Sequence, residues 1–495
     1  MVLLIAAGAC SCAMPSYDEP MPDLPGSPGV KETDAPATAA PDGTDEYISD
    51  GLPEKLSLFG AEIRFLCSSD PGKSEEISAY ELMSEVVNDS VFNRERFVED
   101  RLDAEITVTR SKDPAAEIAK QVSADENTYS AYCLSASMLS ALVFDNALTD
   151  LYTLEFIDTD MPWWSDKFNS EAEVDGSLYL TTGSLSLSLL RNLYAVFFNK
   201  NLTADYSDSY PELADLYETA LGGNWTFDLF SRLGGVIYTD LNGDTYRDEE
   251  DLYGIGFQNG GSVDAFWSGF DLNILSPTSD GWFEPDINTD KLFRALDMMY
   301  SVLHTATGSV LADPEDANID ELVYKFSSDS LLVMCNRLQC AEGFVLRSMP
   351  SDYGVLPFPK FDSRQSEYLS YALDSYTAFA IPKANDEPDD AAAVLEAMAS
   401  YSYRDTLPSY LDKALKGKYM SDPQSRKTVD LVVNGFSVDT AWIFVDTLGG
   451  GYPKAFRDLL VSGGTTFSSE NEKALSKMEQ DLASYRVAAE EMELG

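Results

Sequence analysis

The sequence predicts an α/β fold divided into two lobes, and three observations support this prediction. The chain has 495 residues, more than the roughly 250 to 300 residues at which a single hydrophobic core stops growing. Hydrophobic residues make up 44% of the chain and aromatic residues 12%, enough apolar material for large cores. Short β-rich runs alternate with segments of helical periodicity, which is typical of sheets flanked by helices. We therefore expect at least two core-bearing units.

The first part of the folded body predicts a βαβ unit. Ala61–Cys67 is a β-rich run, a helical pattern follows it, and Glu105–Thr109 has the character of a second strand. A helix at Ala115–Val122 and an apolar run at Ala131–Leu134 repeat the alternation, so the sheets should be parallel or mixed. Further strands are predicted at Tyr194–Phe198, Leu331–Met334 and Thr377–Ile381, and further helices at Pro211–Ala220, Ala391–Tyr401 and Glu472–Glu490.

The charge and the histidine content exclude several classes of function. The chain carries 84 acidic and 34 basic residues, a net charge of −50, which would repel nucleic acid and anionic membrane surfaces. The excess is that of a solvated surface. His304 is the single histidine, so a zinc site with several histidines is impossible and a Ser-His-Asp triad would have to include it. Because His304 lies in a stretch of helical character, we interpret it as structural.

The N-terminus resembles the end of a lipoprotein signal peptide. Residues Val2–Ala9 form an apolar run that ends at Cys10, the candidate for acylation, with Cys12 two positions further on. The run is too short to span a bilayer and no Lys or Arg precedes it, so a frayed end of a secreted or cytosolic protein is the alternative. Residues 1–12 are predicted as the signal remnant. Residues 13–56, rich in Pro, Gly, Asp, Thr and Ala, are predicted as a flexible tether.

The remaining cysteines show no metal or redox spacing. Cys67, Cys133, Cys335 and Cys340 are interpreted as isolated buried thiols, and a disulfide between Cys335 and Cys340 is left open.

An acidic loop predicts structural calcium. Its oxygen-bearing side chains fall at positions 1, 3, 5, 9 and 12 of an EF-hand-like calcium loop, and the residue at position 7 can contribute its carbonyl. Thr245 replaces the usual Gly and a shorter Asp replaces the usual last Glu, so a polar turn in water is the alternative. No organic cofactor is expected. The candidate metal ligands are Asp240, Asn242, Asp244, Tyr246, Asp248 and Asp251.

Several strings in a fixed order carry a resemblance to a known family. They are Val91–Asp100, Met161–Ser165, Tyr194–Leu202, Gly223–Asp228, Asp240–Asp244 followed by Asp251–Gly254, Tyr353–Lys360 and Tyr376–Lys383. With them, nearly the whole folded body resembles the extracellular solute-binding proteins of bacterial ABC importers, in the carbohydrate-binding family 1 branch.

This resemblance implies a class II, periplasmic-binding-protein-like fold that closes on a solute by a hinge motion. It places lobe 1 at residues 57–182 and 374–415 and lobe 2 at residues 186–370 and 416–495, joined by crossing segments. The implied function is capture of a sugar or oligosaccharide, without catalysis, by a monomer that delivers it to an ABC permease. The implied location is the outer face of the cytoplasmic membrane, through the lipid anchor, with no nucleic-acid partner.

The resemblance also implies where the ligand binds. In such receptors a sugar stacks on aromatic rings while charged and amide groups bind its hydroxyls. Relatives often carry a Trp in the turn that follows the strand Leu331–Met334, whereas this chain has Asn336 and Arg337 there. Arg337 would suit a carboxylate or vicinal hydroxyls, although a surface arginine is an equal alternative. The candidate ligand-binding residues are Ser68, Ser69, Asp70, Gly183, Ser184, Asp264, Trp267, Asn336, Arg337, Asp374 and Tyr376.

Two other functions stay open at this stage. Paired carboxylates in so acidic a chain would allow a surface-anchored, glycoside-active enzyme. A peptide or adhesion receptor with the same fold is the third possibility, since a fold alone does not determine its ligand.

Overall fold

A computed structural model describes residues 48–124, 126–248, 250–258, 260–312, 321–420, 422–448 and 451–493. Residues 49–495 form one unit of the chain. The predicted signal remnant, Cys10, and the tether as far as residue 47 lie outside the described residues. Among the described residues, no helix combines the length and the apolar character needed to cross a membrane.

The strands of the described chain run from near the start of this unit to residue 380. In chain order they are β1 (Ala61–Ser68), β2 (Ala104–Ser111), β3 (Ala131–Ser135), β4 (Tyr194–Asn199), β5 (Tyr238–Thr239), β6 (Leu252–Gln258), β7 (Leu275–Pro277), β8 (Phe283–Pro285), β9 (Ser309–Ala312), β10 (Leu331–Arg337), β11 (Tyr353–Leu356) and β12 (Thr377–Ala380).

Helices connect these strands and form the whole of the C-terminal part. They are α1 (Pro71–Ser74), α2 (Val86–Leu102), α3 (Pro114–Ala124), α4 (Ala136–Val143), α5 (Asp166–Ala172), α6 (Leu187–Arg191), α7 (Lys200–Tyr206), α8 (Leu216–Leu221), α9 (Phe227–Val236), α10 (Gly261–Gly269), α11 (Thr289–Tyr300), α12 (Glu321–Ser327), α13 (Phe344–Arg347), α14 (Pro388–Tyr401), α15 (Pro423–Asn434), α16 (Thr440–Ile443), α17 (Gly451–Val461) and α18 (Phe467–Glu493). Short 3₁₀ turns occur at Leu151–Thr153, Pro211–Asp215 and Leu338–Glu342, and π-helical turns at Ser301–Thr305, Ser402–Thr406 and Ser409–Tyr419.

The first sheet has the strand order β12-β3-β1-β2. β1 is parallel to both β2 and β3, and β12 closes the edge antiparallel to β3. Phe65, Leu66 and Cys67 of β1 have no exposed surface. The continuous apolar run that predicted this strand has the character of a strand covered on both faces.

The second sheet has the strand order β11-β4-β10-β6-β5, with β9 also pairing with β6. β10 is antiparallel to β4 and parallel to β6, so the sheet is mixed. Every residue of β4 is buried, from Tyr194 to Asn199. The prediction of an α/β fold with mixed sheets is confirmed by these two sheets and the helices around them.

Two stretches of chain cross between the sheets side by side. Next to the first sheet, Thr181 and Phe379 exchange backbone hydrogen bonds of 3.0 and 2.8 Å. Next to the second sheet, the Leu373 N–H donates to the Asn192 carbonyl at 3.1 Å. The first stretch leads out of the first sheet and the second stretch leads back into it as β12, so the two run antiparallel.

A third stretch joins them beside the second sheet. The Ser370 N–H donates to the Gly435 carbonyl at 2.8 Å, and the Ser437 N–H donates to the Ser370 carbonyl at 3.0 Å. Three stretches of the described chain therefore lie side by side at this junction. The lobe boundaries themselves stay a prediction.

Two local predictions need correction. The strand expected to end at Met334 continues to Arg337, because Asn336 and Arg337 pair with Ala195 and Tyr194 of β4. The turn predicted at Asn336 and Arg337 is therefore wrong.

The helix predicted at Pro211–Ala220 consists of a 3₁₀ turn followed by α8, which ends at Gly222 as expected. No disulfide joins Cys335 to Cys340, and Cys67 and Cys133 are not disulfide-bonded either.

Candidate functional site

A buried carboxylate lies where the crossing stretches meet the first sheet. Glu76, between α1 and α2, accepts hydrogen bonds from the Ser188 N–H at 2.5 Å and the Ser188 hydroxyl at 2.8 Å. The Thr377 N–H in turn donates to the Ser188 hydroxyl at 2.9 Å. Burial raises the pKa of Glu76, and hydrogen bonds from Thr377 and Ser188 oppose this rise. Three separate segments thus meet at one side chain.

A second buried carboxylate lies on the side of the second sheet. Asp264 of α10 is 1% exposed, and its Oδ2 accepts a hydrogen bond from Nη1 of Arg457 on α17. Within the described residues its Oδ1 has no hydrogen-bond partner. Burial raises the pKa of Asp264 to about 7, while the charge and the hydrogen bond of Arg457 act in the opposite direction. Only one of the two carboxylate oxygens of Asp264 thus takes part in the ion pair, and the carboxylate is shielded from water.

Charges from both sides and from the crossing stretch meet here. Asp374 lies between Leu373 and β12, and burial raises its pKa. The negative charge of Asp446 raises this pKa further, whereas the positive charges of Arg457 and Lys73 lower it. Lys73 belongs to α1, directly after β1. We call Lys73, Asp264, Tyr371, Asp374 and Arg457 the interlobe cluster.

An aromatic wall supports this cluster. Tyr371 is 3% exposed, and its ring stacks on Tyr194 with centroids 5.9 Å apart and contacts Trp442 at 5.2 Å. Burial raises the pKa of Tyr371 well above its usual value, so its hydroxyl stays protonated. The wall is rigid and offers hydrogen bonding rather than acid–base chemistry.

The predicted residues Ser68, Ser69 and Asp70 lie immediately before Lys73. Asp70 is the N-cap of α1 and accepts the Gly72 N–H at 3.0 Å, while the Ser68 hydroxyl accepts the Asp70 N–H at 3.2 Å. These polar groups shape the loop, and Asp70 remains exposed to a ligand.

The predicted residues Gly183 and Ser184 are in close backbone contact with Trp163. A Cβ at Gly183 would lie 2.1 Å from the Trp163 carbonyl oxygen, so only glycine fits this position. The Ser184 N–H donates to the same carbonyl at 2.8 Å.

The two tryptophans beside this contact are held by one carboxylate. The indole N–H groups of Trp163 and Trp164 donate to Glu396 of α14 at 3.0 and 2.8 Å. Burial raises the pKa of Glu396 to about 8, and the hydrogen bonds from Trp164, Asp158 and Trp163 oppose the rise.

Trp267, on α10, does not present a free stacking face. It is 5% exposed and contacts the rings of Tyr452 and Phe456 on α17. One side of it lines a cavity of about 260 Å³ whose other polar side chains are Asp271, Asn273, Asp286, Asn288 and Lys291.

Asn336, Arg337 and Tyr376 lie at the crossing rather than on an open loop. Arg337 Nη1 is 3.5 Å from Oδ1 of Asn192, whose amide donates to the Ser375 hydroxyl at 3.2 Å. Asn336 is fully buried.

Tyr376 is 2% exposed, and its ring contacts Phe168 and Phe436. Of the predicted ligand-binding residues, Asp264 and Asp374 thus act on each other electrostatically, whereas Gly183 and Ser184 lie against Trp163.

Sequence reasoning missed four charged or aromatic residues of this region, namely Lys73, Tyr371, Asp446 and Arg457. Arg457 and Asp264 are separated by 193 positions, and Arg457 lies in a helix without a recognisable motif. Nothing local in the sequence signals such a pair.

A second, larger cavity includes Asp446, one of the acids whose charge acts on Asp374. It measures about 610 Å³ and lies between α3 and α4. Its lining residues are Ala115, Ile118, Ala119, Val122, Ser123, Ser135, Ser137, Met138, Ala141, Leu142, Asp145, Ala147 and Asp446.

The predicted calcium loop precedes β6 and is mostly exposed. The two carboxylate oxygens of Asp240 accept the N–H groups of Gly243 and Thr245 at 2.6 and 3.0 Å. Asn242 and Asp244 accept the N–H groups two residues further on at 2.9 and 2.8 Å. The carboxylates and the amide thus bind the backbone of the loop.

The end of the loop is held in the same way. Asp251 accepts the Tyr238 hydroxyl at 2.7 Å and the Leu241 and Asp248 N–H groups at 3.3 Å. The Tyr246 carbonyl accepts a long contact of 3.4 Å from the Tyr238 hydroxyl. In the described part of the chain, no group of three His, Cys, Asp or Glu side chains is arranged to hold a metal ion. Metal binding would require these side chains to turn.

Comparison with known proteins gives a fold but no family. No family model and no curated protein matches the chain. Among solved structures, the sugar-binding protein MalE from Xanthomonas citri has a TM-score of 0.57 at 11% identity, covering 87% of this chain and 99% of its own. The galacto-N-biose/lacto-N-biose I-binding protein of a Bifidobacterium longum ABC transporter has a TM-score of 0.53 at 11% identity, covering 86% and 98%.

A third structure extends the same likeness. An ABC substrate-binding protein from Listeria monocytogenes, in complex with cycloalternan, has a TM-score of 0.52 at 14% identity, covering 86% of this chain and 98% of its own. The chain has the two-lobed fold of these binding proteins, as the sequence predicts, over nearly the whole of their length.

The pair of Asp264 and Arg457 generates a pH-dependent prediction. Replacing Arg457 with Met leaves a buried carboxylate without its cation, which should lower the free energy of unfolding by about 3 kcal/mol at pH 8. Without Arg457 the folded-state pKa of Asp264 rises further above its unfolded value. The destabilisation caused by the charged Asp264 carboxylate therefore grows as pH rises from about 4, the pKa of an aspartate in the unfolded chain, through its pKa in the folded protein. Urea unfolding at pH 5 should show a smaller loss than at pH 8.

Arg232 provides the matched control, because its exposed guanidinium lies 3.4 Å from Asp228 at the surface. Arg232→Met should change stability by less than about 0.5 kcal/mol at either pH. An equal loss for Arg457→Met at pH 5 and pH 8 would show that the ion pair does not control the charge of Asp264.

Proposed function

We propose that this protein is a non-catalytic receptor that captures a sugar or oligosaccharide outside the cell and delivers it to an ABC permease. The observation that carries the proposal is the pair of antiparallel stretches that cross between the two sheets, with the interlobe cluster beside them. Lys73 comes from the side of the first sheet, Asp374 from the crossing and Asp264 from the side of the second sheet. A solute between the lobes would contact Lys73 and Asp374, whereas buried Asp264 would act through Arg457, its ion-pair partner.

The crossing supports a hinge mechanism. Only a few backbone hydrogen bonds hold the crossing stretches together at each end, such as that from Leu373 to Asn192. Small φ/ψ changes in such segments let two rigid lobes rotate as units. Capture then means that the solute stabilises the closed arrangement by contacts with both lobes.

The chemistry near the cluster suits a hydroxylated solute. Carboxylates accept hydrogen bonds from hydroxyl groups, and lysine and arginine donate to them. The cavity beside Trp267 is lined by two Asp, two Asn and a Lys, which can exchange hydrogen bonds with the hydroxyl groups of a solute. Among the structural neighbours named above, MalE is described as a sugar-binding protein and the Bifidobacterium longum protein as a galacto-N-biose/lacto-N-biose I-binding protein. The Listeria monocytogenes protein is described as a substrate-binding protein in complex with cycloalternan.

The enzyme alternative has less support. One of the carboxylates near the crossing, Asp264, is in an ion pair with Arg457 and is nearly inaccessible. The ring of His304 lies 5.0 Å from that of Tyr300, and its Nε2 is 2.5 Å from the Leu460 carbonyl. Both groups are occupied by structural contacts, which favours binding without turnover.

The predicted location follows from this role. An importer receptor works at the outer face of the cytoplasmic membrane, and we propose that an acyl group on Cys10 and the tether hold it there as a monomer. Labelling with a fatty acid, abolished in Cys10→Ala, tests the anchor.

Solute capture is tested by calorimetric titration with a panel of sugars, sugar acids and peptides. We expect at least one saccharide to bind. After long incubation with the protein, chromatography should recover that saccharide unchanged. Asp374→Asn should weaken that binding by about tenfold or more, because a hydrogen bond to a charged group contributes about 1.5 to 3 kcal/mol.

Asp208→Asn is the control, since Asp208 is an exposed acid on the loop after α7. It should bind like the wild type. A product released from any sugar would contradict the receptor, and binding only of peptides would contradict the sugar.

Calcium at the acidic loop is a separate proposal. Calcium should raise the melting temperature of chelator-treated protein. The free energy of unfolding should rise by about 2.7 kcal/mol when the free calcium concentration is about 100 times the Kd. Asp240→Ala should abolish the shift and leave sugar binding intact, because the loop lies at the surface before β6. An identical melting temperature with and without millimolar calcium would make the loop a plain polar turn.

A further inference from the structure

The cavity of about 610 Å³ has an aliphatic floor. Ala115, Ile118, Ala119 and Val122 follow the spacing of one helix face on α3, and all four line the cavity. From α4, Met138, Ala141 and Leu142 complete this floor. Val122 is 46% exposed, so the apolar surface faces solvent where nothing covers it. The cavity size falls within the range of small-molecule sites.

One end of the cavity is acidic. Asp145 follows Phe144 at the C-terminal end of α4, and Phe144 contacts Phe444, two residues before Asp446, with ring centroids 5.7 Å apart. Both acids line the cavity and both are exposed. Within the described chain, neither has a salt-bridge partner within 4.0 Å. The carbonyl end of a helix adds to the negative potential there.

The rest of the lining excludes other occupants. No lysine, arginine or aromatic residue is among the described residues that line this cavity. The nearby Lys383 donates to Asn146 at 2.8 Å. Without a ring a sugar face has nothing to stack on, and without a cation a carboxylate or phosphate would meet only repulsion. An apolar chain that ends in a positive charge would pack against the aliphatic floor and pair its charge with the acidic end.

We propose that this cavity binds an aliphatic, cationic part of the solute, an alkylammonium group held between the α3–α4 floor and the carboxylates of Asp145 and Asp446. The inference rests on the proposed receptor function and narrows its solute to one that bears an amine. Hydroxyls of Ser123, Ser135 and Ser137 are available to accept the ammonium N–H groups. Ser135 lines this cavity and pairs with Thr377 of β12, three residues after Asp374, which places the subsite beside the crossing.

The test uses three probes that share one chain length. Hexylammonium, hexanol and hexanoate are titrated separately into the full-length protein. Hexylammonium should bind most tightly and hexanoate least. The affinity of hexylammonium should fall as the salt concentration is raised. Asp145→Asn and Asp446→Asn should each weaken hexylammonium about threefold, as for an exposed charge pair. They should leave hexanol unchanged.

Two further variants make the test specific. Ala119→Phe fills the floor from an exposed position and should abolish binding of both hexylammonium and hexanol. Asp208→Asn removes an acid elsewhere and should bind like the wild type. Equal affinity for the three probes, no detectable binding of hexylammonium, or undiminished binding in Ala119→Phe would each overturn the subsite.

The sugar panel, run on the same samples, separates the two proposals. Saccharide binding without any preference for hexylammonium would overturn the subsite and leave the receptor standing. Hexylammonium binding with the expected variant pattern, but without any saccharide binding, would support the subsite and overturn the sugar as solute.

Discussion

The crossing between the sheets depends on the environment of Glu76. A carboxylate without exposure to water is tolerated only when donors surround it, and here Ser188 supplies two of them from the first crossing stretch. The Ser188 hydroxyl also accepts from Thr377 in the second stretch. The end of the crossing next to the first sheet is therefore rigid, and bending is expected nearer Asn192 and Leu373.

This arrangement explains why charge gathers at the other side of the crossing. Asp264 and Arg457 come from two helices that pack together beside the second sheet, and Asp374 is carried to them by the returning stretch. A rigid end at Ser188 keeps the position of Asp374 defined. In the proposed hinge motion, the end near Asn192 and Leu373 moves, and Lys73 would approach or leave the same carboxylates.

Much of the fold could be predicted from the sequence, because strands buried on both faces appear as continuous apolar runs. β1 and β4 were expected at Ala61–Cys67 and Tyr194–Phe198 and differ by one residue each from the observed strands. β10 was cut short because Asn336 and Arg337 are polar. Pairing with β4 satisfies the backbone N–H and C=O groups of Asn336 and Arg337. The amino-acid composition of a segment does not indicate such pairing.

The site was less predictable, for a physical reason. Asp264 and Asp374 were among the predicted residues, yet their partners Arg457, Lys73 and Tyr371 come together only through tertiary structure. A local motif such as the acidic loop is visible in sequence because its ligands are neighbours in the chain. Gly183 was also singled out, but its requirement for glycine comes from the Trp163 carbonyl that it faces.

The tryptophans carry one more consequence, which concerns optical measurement. Glu396 holds Trp163 and Trp164 at the end of the crossing next to the first sheet, where the ring of Trp164 contacts Phe379. Because this is the rigid end, the fluorescence of these two residues should stay constant on the proposed hinge motion. The ring of Trp442 contacts Tyr371 of the interlobe cluster, so this indole lies near the junction. The chain thus contains its own reference and its own reporter, and the emission spectrum can follow closure without an attached dye.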